Sequence, residues 1–272
     1  MTAALLEVQD LQMRFQGITA LADVSFTLER GRITSLIGPN GAGKTTMFNC
    51  ITGMYRPTGG TVRFDGEDVT AMAAHRIARH GVARTFQNLA LFGGLTVRDN
   101  LITGAYLQGR SGLLQGAFLS PQARREQRTA EKEADDVLRF LGMEDTAHQL
   151  PSELSYGRQK QVEFARALMQ KARLVLLDEP MAGMSQPEKT AMTALIHRVR
   201  EQYGITFLVE HDIPVIMDIS DKIVVLDFGR KIAEGTPAEV QANEAVIAAY
   251  LGTDHATAGS DPTAAGSEAV AA

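Results

Sequence analysis

Apolar positions along the chain follow two rhythms. Short β-type runs occur at 5–8, 24–28 and 33–37, with Arg30 and Gly31 marking a turn before the third. They predict a sheet that leads into whatever follows Ile37, and residues 44–52 can then open a helix. From about 107 to 150 the rhythm becomes helical: Ser120 and Pro121 form a helix start, and Ala130, Ala134, Val137, Leu138 and Leu141 repeat at helical spacing. The charges between 124 and 136 are of mixed sign, as on a solvated helix face. β-type runs return at 174–177, 205–209 and 223–226, separated by helical stretches such as 188–203. Strands alternating with helices predict a largely parallel α/β sheet, here interrupted by a helical insertion. From Thr253 onward Ala, Thr, Gly and Ser dominate without a Lys or Arg, which predicts a disordered tail over 253–272.

Composition changes this picture little. With 272 residues, 44% hydrophobic and 22% charged, the chain can bury a substantial core. A net charge of −5 gives no reason to expect a nucleic-acid partner. No apolar stretch approaches the roughly 18–20 residues that span a bilayer, and the N-terminus lacks the plan of a signal peptide, so the expected location is cytosolic. The single cysteine, Cys50, allows no internal disulfide and no multi-cysteine metal site, and its place in a helix predicts packing.

Chemistry enters at the turn after the third β-run. Gly38, Pro39, Asn40, Gly41, Ala42, Gly43, Lys44 and Thr45 fit the pattern G-x-x-x-x-G-K-[ST], followed by Thr46. Glycines let successive backbone N–H groups converge on phosphate oxygens, and a helix N-terminus adds about half a positive charge. Lys44 can reach the β and γ phosphates of a nucleotide triphosphate, and the Thr45 hydroxyl can take a position on Mg²⁺. Further on, the apolar run at 174–177 ends in Asp178 and Glu179. A parallel strand delivers its C-terminal end to the ligand crevice, so Asp178 suits Mg²⁺ and Glu179 suits a general base that activates water. A loop and carboxylate pair also serve P-loop kinases and GTPases.

Three further motifs separate those classes. Arg-Thr-Phe-Gln stands at 84–87, Leu-Ser-Tyr-Gly-Arg-Gln at 154–159, and His211 follows the run at 205–209. In that order they resemble the ATP-binding subunits of ABC transporters, and the resemblance covers residues 5–251. It implies an α/β P-loop NTPase fold with a mostly parallel core sheet, an N-terminal antiparallel β subdomain and an inserted helical subdomain at about 88–165, all within an ATPase domain spanning 1–252. It also implies roles: Gln87 on Mg²⁺ and the attacking water, His211 on the γ-phosphate, and Phe15 stacked on adenine. Ser155 and Gly157, at the start of an apolar helix over 158–169, would bind the γ-phosphate held by a second ATPase subunit. Two permease subunits would dock near 87–101 and the helical insertion, where Leu89, Leu91, Phe92 and Leu95 suit either a partner helix or the core. A solute-binding protein would act indirectly, and the cassette would sit on the cytoplasmic face of the membrane.

The chain departs from the family pattern at Tyr156, Arg158 and Ser185, where Gly, Gln and Asp are usual. The signature Tyr, the segment 91–101, the insertion and the ending at 248–252 resemble the branched-chain amino acid importer ATPases. Related importers of urea, short amides or small acids, and a non-transport ABC ATPase, are the alternatives.

Overall fold

The computed structural model describes residues 4–85, 89–106, 121–203, 205–209 and 212–257. Strands β1 (Ala4–Phe15) and β2 (Ile18–Glu29) form an antiparallel hairpin that turns at Gln16 and Gly17, with φ of 42° and 95°. Both are longer than the runs at 5–8 and 24–28, because Leu11, Met13 and Leu21 continue the buried face. Two strands outside the expected runs, β4 (Gly59–Phe64) and β5 (Glu67–Asp68), complete a four-stranded antiparallel sheet in the order β2-β1-β4-β5.

The second sheet has six strands. Its order is β10 (Arg230–Gly235), β9 (Lys222–Asp227), β3 (Ile33–Ile37), β8 (Ile205–Val209), β7 (Leu174–Asp178) and β6 (Val82–Arg84). Every pair is parallel except β10 with β9. All five residues of β3 are buried, as a central parallel strand covered on both faces requires. Its side chains enter three separate apolar clusters. Ile33 joins helices α3 (Val97–Ala105), α4 (Pro121–Leu141), α5 (Tyr156–Leu168) and α6 (Gln186–Tyr203). Leu36 joins the antiparallel sheet, α1 (Lys44–Ile51) and Ile77 of the short helix α2 (Ala74–Arg79). Ile37 joins α7 (Ile213–Ile219), α8 (Pro237–Gln241) and α9 (Glu244–Thr257). The loop leaving β3 is therefore held from three sides, a rigid base for a site.

In the helical region, α4 begins at Pro121, where the sequence pattern places a helix start. Gly104 lets α3 approach α5 closely, since a Cβ there would lie 2.3 Å from the Arg166 carbonyl oxygen. Arg98 donates two hydrogen bonds to Asp135, at 2.6 and 2.8 Å, tying α3 to α4. Asn100 is fully buried: its side chain accepts from the Phe92 N–H at 2.8 Å and donates to the carbonyls of Phe92, Leu95 and Thr96. That one amide shapes the loop at 92–96, on which Phe92 and Leu95 stay exposed while Leu91 packs against the core.

Helix α9 is described as far as Thr257, five residues into the stretch 253–272 expected to form a tail. The rest of the expected tail, 258–272, lies outside the described residues. Among the described residues no helix is long and apolar enough to cross a membrane.

Candidate nucleotide site

The phosphate loop joins β3 to α1 through three glycines at positive φ: Gly38 at 151°, Gly41 at 82° and Gly43 at 101°. Two of them are dictated by close approach. A Cβ on Gly38 would lie 2.1 Å from the Leu226 carbonyl oxygen of β9, and one on Gly43 would lie 2.7 Å from the Ala20 carbonyl oxygen of β2. The N-terminus of α1 has no side-chain cap and no acidic residue in its first turn. Its leading N–H groups therefore present an uncancelled partial positive charge, which suits an anion. Lys44 Nζ spans the loop, donating to the Gly38 carbonyl at 2.6 Å and the Pro39 carbonyl at 3.0 Å. Burial holds its pKa below the ordinary lysine range, while Glu179 and then Asp178 pull it upward.

Asp178 is buried at the C-terminal end of β7. Its Oδ2 accepts from Arg84 Nη2 at 2.7 Å, and Arg84 Nη1 donates to Asn49 Oδ1 of α1 at 2.6 Å. The guanidinium also lies 5.6 Å from the centre of the Phe48 ring. Arg84 thus links β6, β7 and α1 around the carboxylate. Glu179, half-buried, takes φ 48°, a conformation that costs a non-glycine residue about 1 kcal/mol or more and is found where side chains are aimed for function. Oxygen donors at Thr45 and Asp178 fit a hard cation held by few protein ligands plus phosphates. No cluster of three or more His, Cys, Asp or Glu side chains offers an all-protein metal cage among the described residues.

Phe15 ends β1 with its ring partly exposed and makes an edge-to-face contact with Tyr55, centroids 5.2 Å apart. Ser155 and Gly157 form a separate group at the start of α5. Ser155 is the N-cap, its Oγ accepting from the Arg158 N–H at 3.4 Å. Both residues donate hydrogen bonds to Glu188.

Residues 21–182 match the family described as ABC transporter. The chain belongs to that family. In this cassette a second match, described as branched-chain amino acid ATP-binding cassette transporter, covers residues 230–256. The cassette is 43% identical to the high-affinity branched-chain amino acid transport ATP-binding protein BraF of Pseudomonas aeruginosa over 253 residues, covering 93% of this chain and 99% of that protein. Identity to the corresponding protein LivG of Escherichia coli is 42%, with the same coverage. The ADP conformation of MJ1267, an ATP-binding cassette of an ABC transporter, superposes with a TM-score of 0.81 at 28% identity, covering 92% of this chain and all of that one. The cassette is an ATP-binding, ATP-hydrolysing subunit with the P-loop NTPase fold.

Gly38 through Thr46 lie at the β3–α1 junction, and Arg84 ties Asp178, at the end of β7, to Asn49 of the same α1. Gln87 and His211 lie outside the described residues. Cys50 is buried, and burial pushes its thiol up to about 12, which fits the packing role. Sequence reasoning gave no role to Arg84, Glu188 or Tyr250. The S-x-x-E spacing of Ser185 and Glu188 was a usable signal, since it marks a capping box. Arg84 carried no signal, because its partners lie 35 and 94 positions away.

Proposed function

We propose that this cassette powers the import of branched-chain or closely related amino acids by binding and hydrolysing ATP between two ATPase subunits. The observation that carries the substrate class is the identity to BraF and LivG across 93% of the chain, reinforced by the separate match at 230–256.

In this reading the loop N–H groups from Gly38 to Thr46 and the Lys44 ammonium hold the phosphates, and Phe15 stacks on adenine. Thr45, Asp178 and Gln87 hold Mg²⁺, which when bound offsets phosphate charge. Glu179 takes a proton from water, and His211 contacts the γ-phosphate. Ser155 and Gly157 serve the nucleotide of the second subunit, either another copy or a paralogue. Two permease subunits take up the resulting motion, with Phe92 and Leu95 as exposed apolar contacts at the cytoplasmic face of the membrane. A solute-binding protein delivers the cargo, and no nucleic acid is involved.

The test is reconstitution with its membrane subunits in vesicles, followed by ATP-dependent uptake of labelled leucine, isoleucine and valine against urea and short amides. Uptake of the branched-chain set supports the assignment. Uptake of urea or amides alone moves the cassette to a different importer, and ATP hydrolysis without uptake of any tested solute removes the substrate class.

A further inference from the structure

The anion-binding tip of α5 is met from within its own chain. Glu188, in the first turn of α6, places Oε1 3.2 Å from Ser155 Oγ and 3.2 Å from the Gly157 nitrogen, both of which donate to it. Its other oxygen, Oε2, accepts from the Ser185 N–H at 3.0 Å and the Ser185 hydroxyl at 2.8 Å. One carboxylate therefore joins two helix starts: Oε2 takes the N–H and hydroxyl of Ser185 just ahead of α6, and Oε1 bridges to the start of α5. The seam is tight, since a Cβ on Gly157 would stand 2.5 Å from Oε1. Tyr156 adds to it, its ring lying 3.4 Å from where a Cβ on Gly183 would stand. Hydrogen bonds, the Ser185 N–H foremost, hold the Glu188 carboxyl below the ordinary glutamate range, so it is an anion at neutral pH.

We propose that Glu188 is a positioning residue for ATP hydrolysis, an internal anion that occupies the Ser155 and Gly157 tip, ties it to the 181–185 loop, and yields it when a phosphate arrives. This rests on reading Ser155 and Gly157 as γ-phosphate donors. The Gly157 N–H carries one hydrogen and cannot serve a carboxylate and a phosphate at full strength together. Two anions at that spacing also repel. The Oε2 half of the grip can persist while Oε1 swings away, so releasing the tip needs only a side-chain rotation. The loop it remains bound to follows Glu179 directly. Occupancy at the tip is thereby transmitted to the backbone beside the general base.

Glu188→Gln keeps the shape and one acceptor oxygen but removes the charge that competes with phosphate. In a Glu179→Gln background, the ATP concentration for half-maximal pairing, read by sedimentation or in the assembled transporter, is expected to fall about two- to fivefold, the scale of one exposed charged contact. In hydrolysis-competent protein the KM for ATP falls by a similar factor while kcat changes less. Glu188→Asp, one methylene shorter, keeps an acid for Ser185 but falls short of Gly157, and serves if the amide does not fold; the same fall is expected. A cap with only a structural role would lower the melting temperature and leave the midpoint unmoved, which overturns the proposal, as does a raised midpoint. If the Glu179→Gln parent pairs but neither variant shifts, only this inference fails. If the parent never pairs, alone or with its membrane subunits, the composite site fails and takes this inference with it.

Discussion

Gly38 leaves β3 with the Leu226 carbonyl of the neighbouring strand directly against its Cα. No side chain fits there, so Gly38→Ala is expected to destabilise the fold by about 2–4 kcal/mol through overpacking and backbone strain combined. Urea unfolding monitored by circular dichroism measures it. Glu179 and Lys44 separate chemistry from binding. Glu179→Gln should retain nucleotide affinity and slow hydrolysis by roughly a hundredfold or more, the usual scale of a general base. Lys44→Ala should weaken ATP binding itself, because the ammonium bridges the loop where the phosphates would lie. Fluorescent-nucleotide titration and single-turnover hydrolysis distinguish the two effects. Wild-type turnover in the Glu179→Gln protein would remove the base assignment. The phosphate loop and the carboxylate pair were legible in sequence because each is a local pattern whose residues act from consecutive positions. Arg84 was not, because its partners are brought together only by the fold, and the spacing that marks the bond of Glu188 to Ser185 says nothing of its reach to Ser155 and Gly157.

Elements carry their own dependencies. The hydrogen bond from Arg98, more than any other contact, lowers the pKa of Asp135 below the ordinary aspartate range, and the same pair raises that of Arg98. A depressed carboxyl contributes stability that is present above its unfolded value of about 4 and is lost as pH falls through the lower folded value. Melting temperatures taken between neutral and strongly acidic pH should therefore drop less steeply in Asp135→Asn than in the wild type. Asn100 does comparable work without charge: removing its four hydrogen bonds in Asn100→Ala should cost about 2 kcal/mol and unsettle the loop bearing Phe92 and Leu95. Solute uptake in vesicles should then suffer more than basal ATP hydrolysis. Element types followed the hydrophobic rhythm well where runs were long or strongly apolar, as in β3, β7 and α4. Strands β4 and β10 escaped it, since each buries few side chains and is recognised only by its pairing with β1 or β9.

At the scale of the molecule, the segment matched at 230–256 folds back onto the machinery. Tyr250 packs with the cluster that contains Ile37, and burial pushes its hydroxyl up to about 12 despite a hydrogen bond with the Gly38 backbone. Tyr250→Phe should therefore weaken ATP binding by about two- to fivefold, the value of one hydrogen bond, with little loss of global stability. Isothermal titration beside thermal melting tests this. The order of motifs made the family legible, while the way α9 reaches the phosphate loop could be seen only after folding. A last consequence lies in the uncapped first turn of α1. Part of this protein's conformational free energy is supplied by its fuel: at a hundred times the dissociation constant, bound nucleotide adds about 2.7 kcal/mol to the native state. A starved cell should accordingly lose cassettes to proteolysis sooner than a well-fed one, so the motor's abundance follows its energy supply.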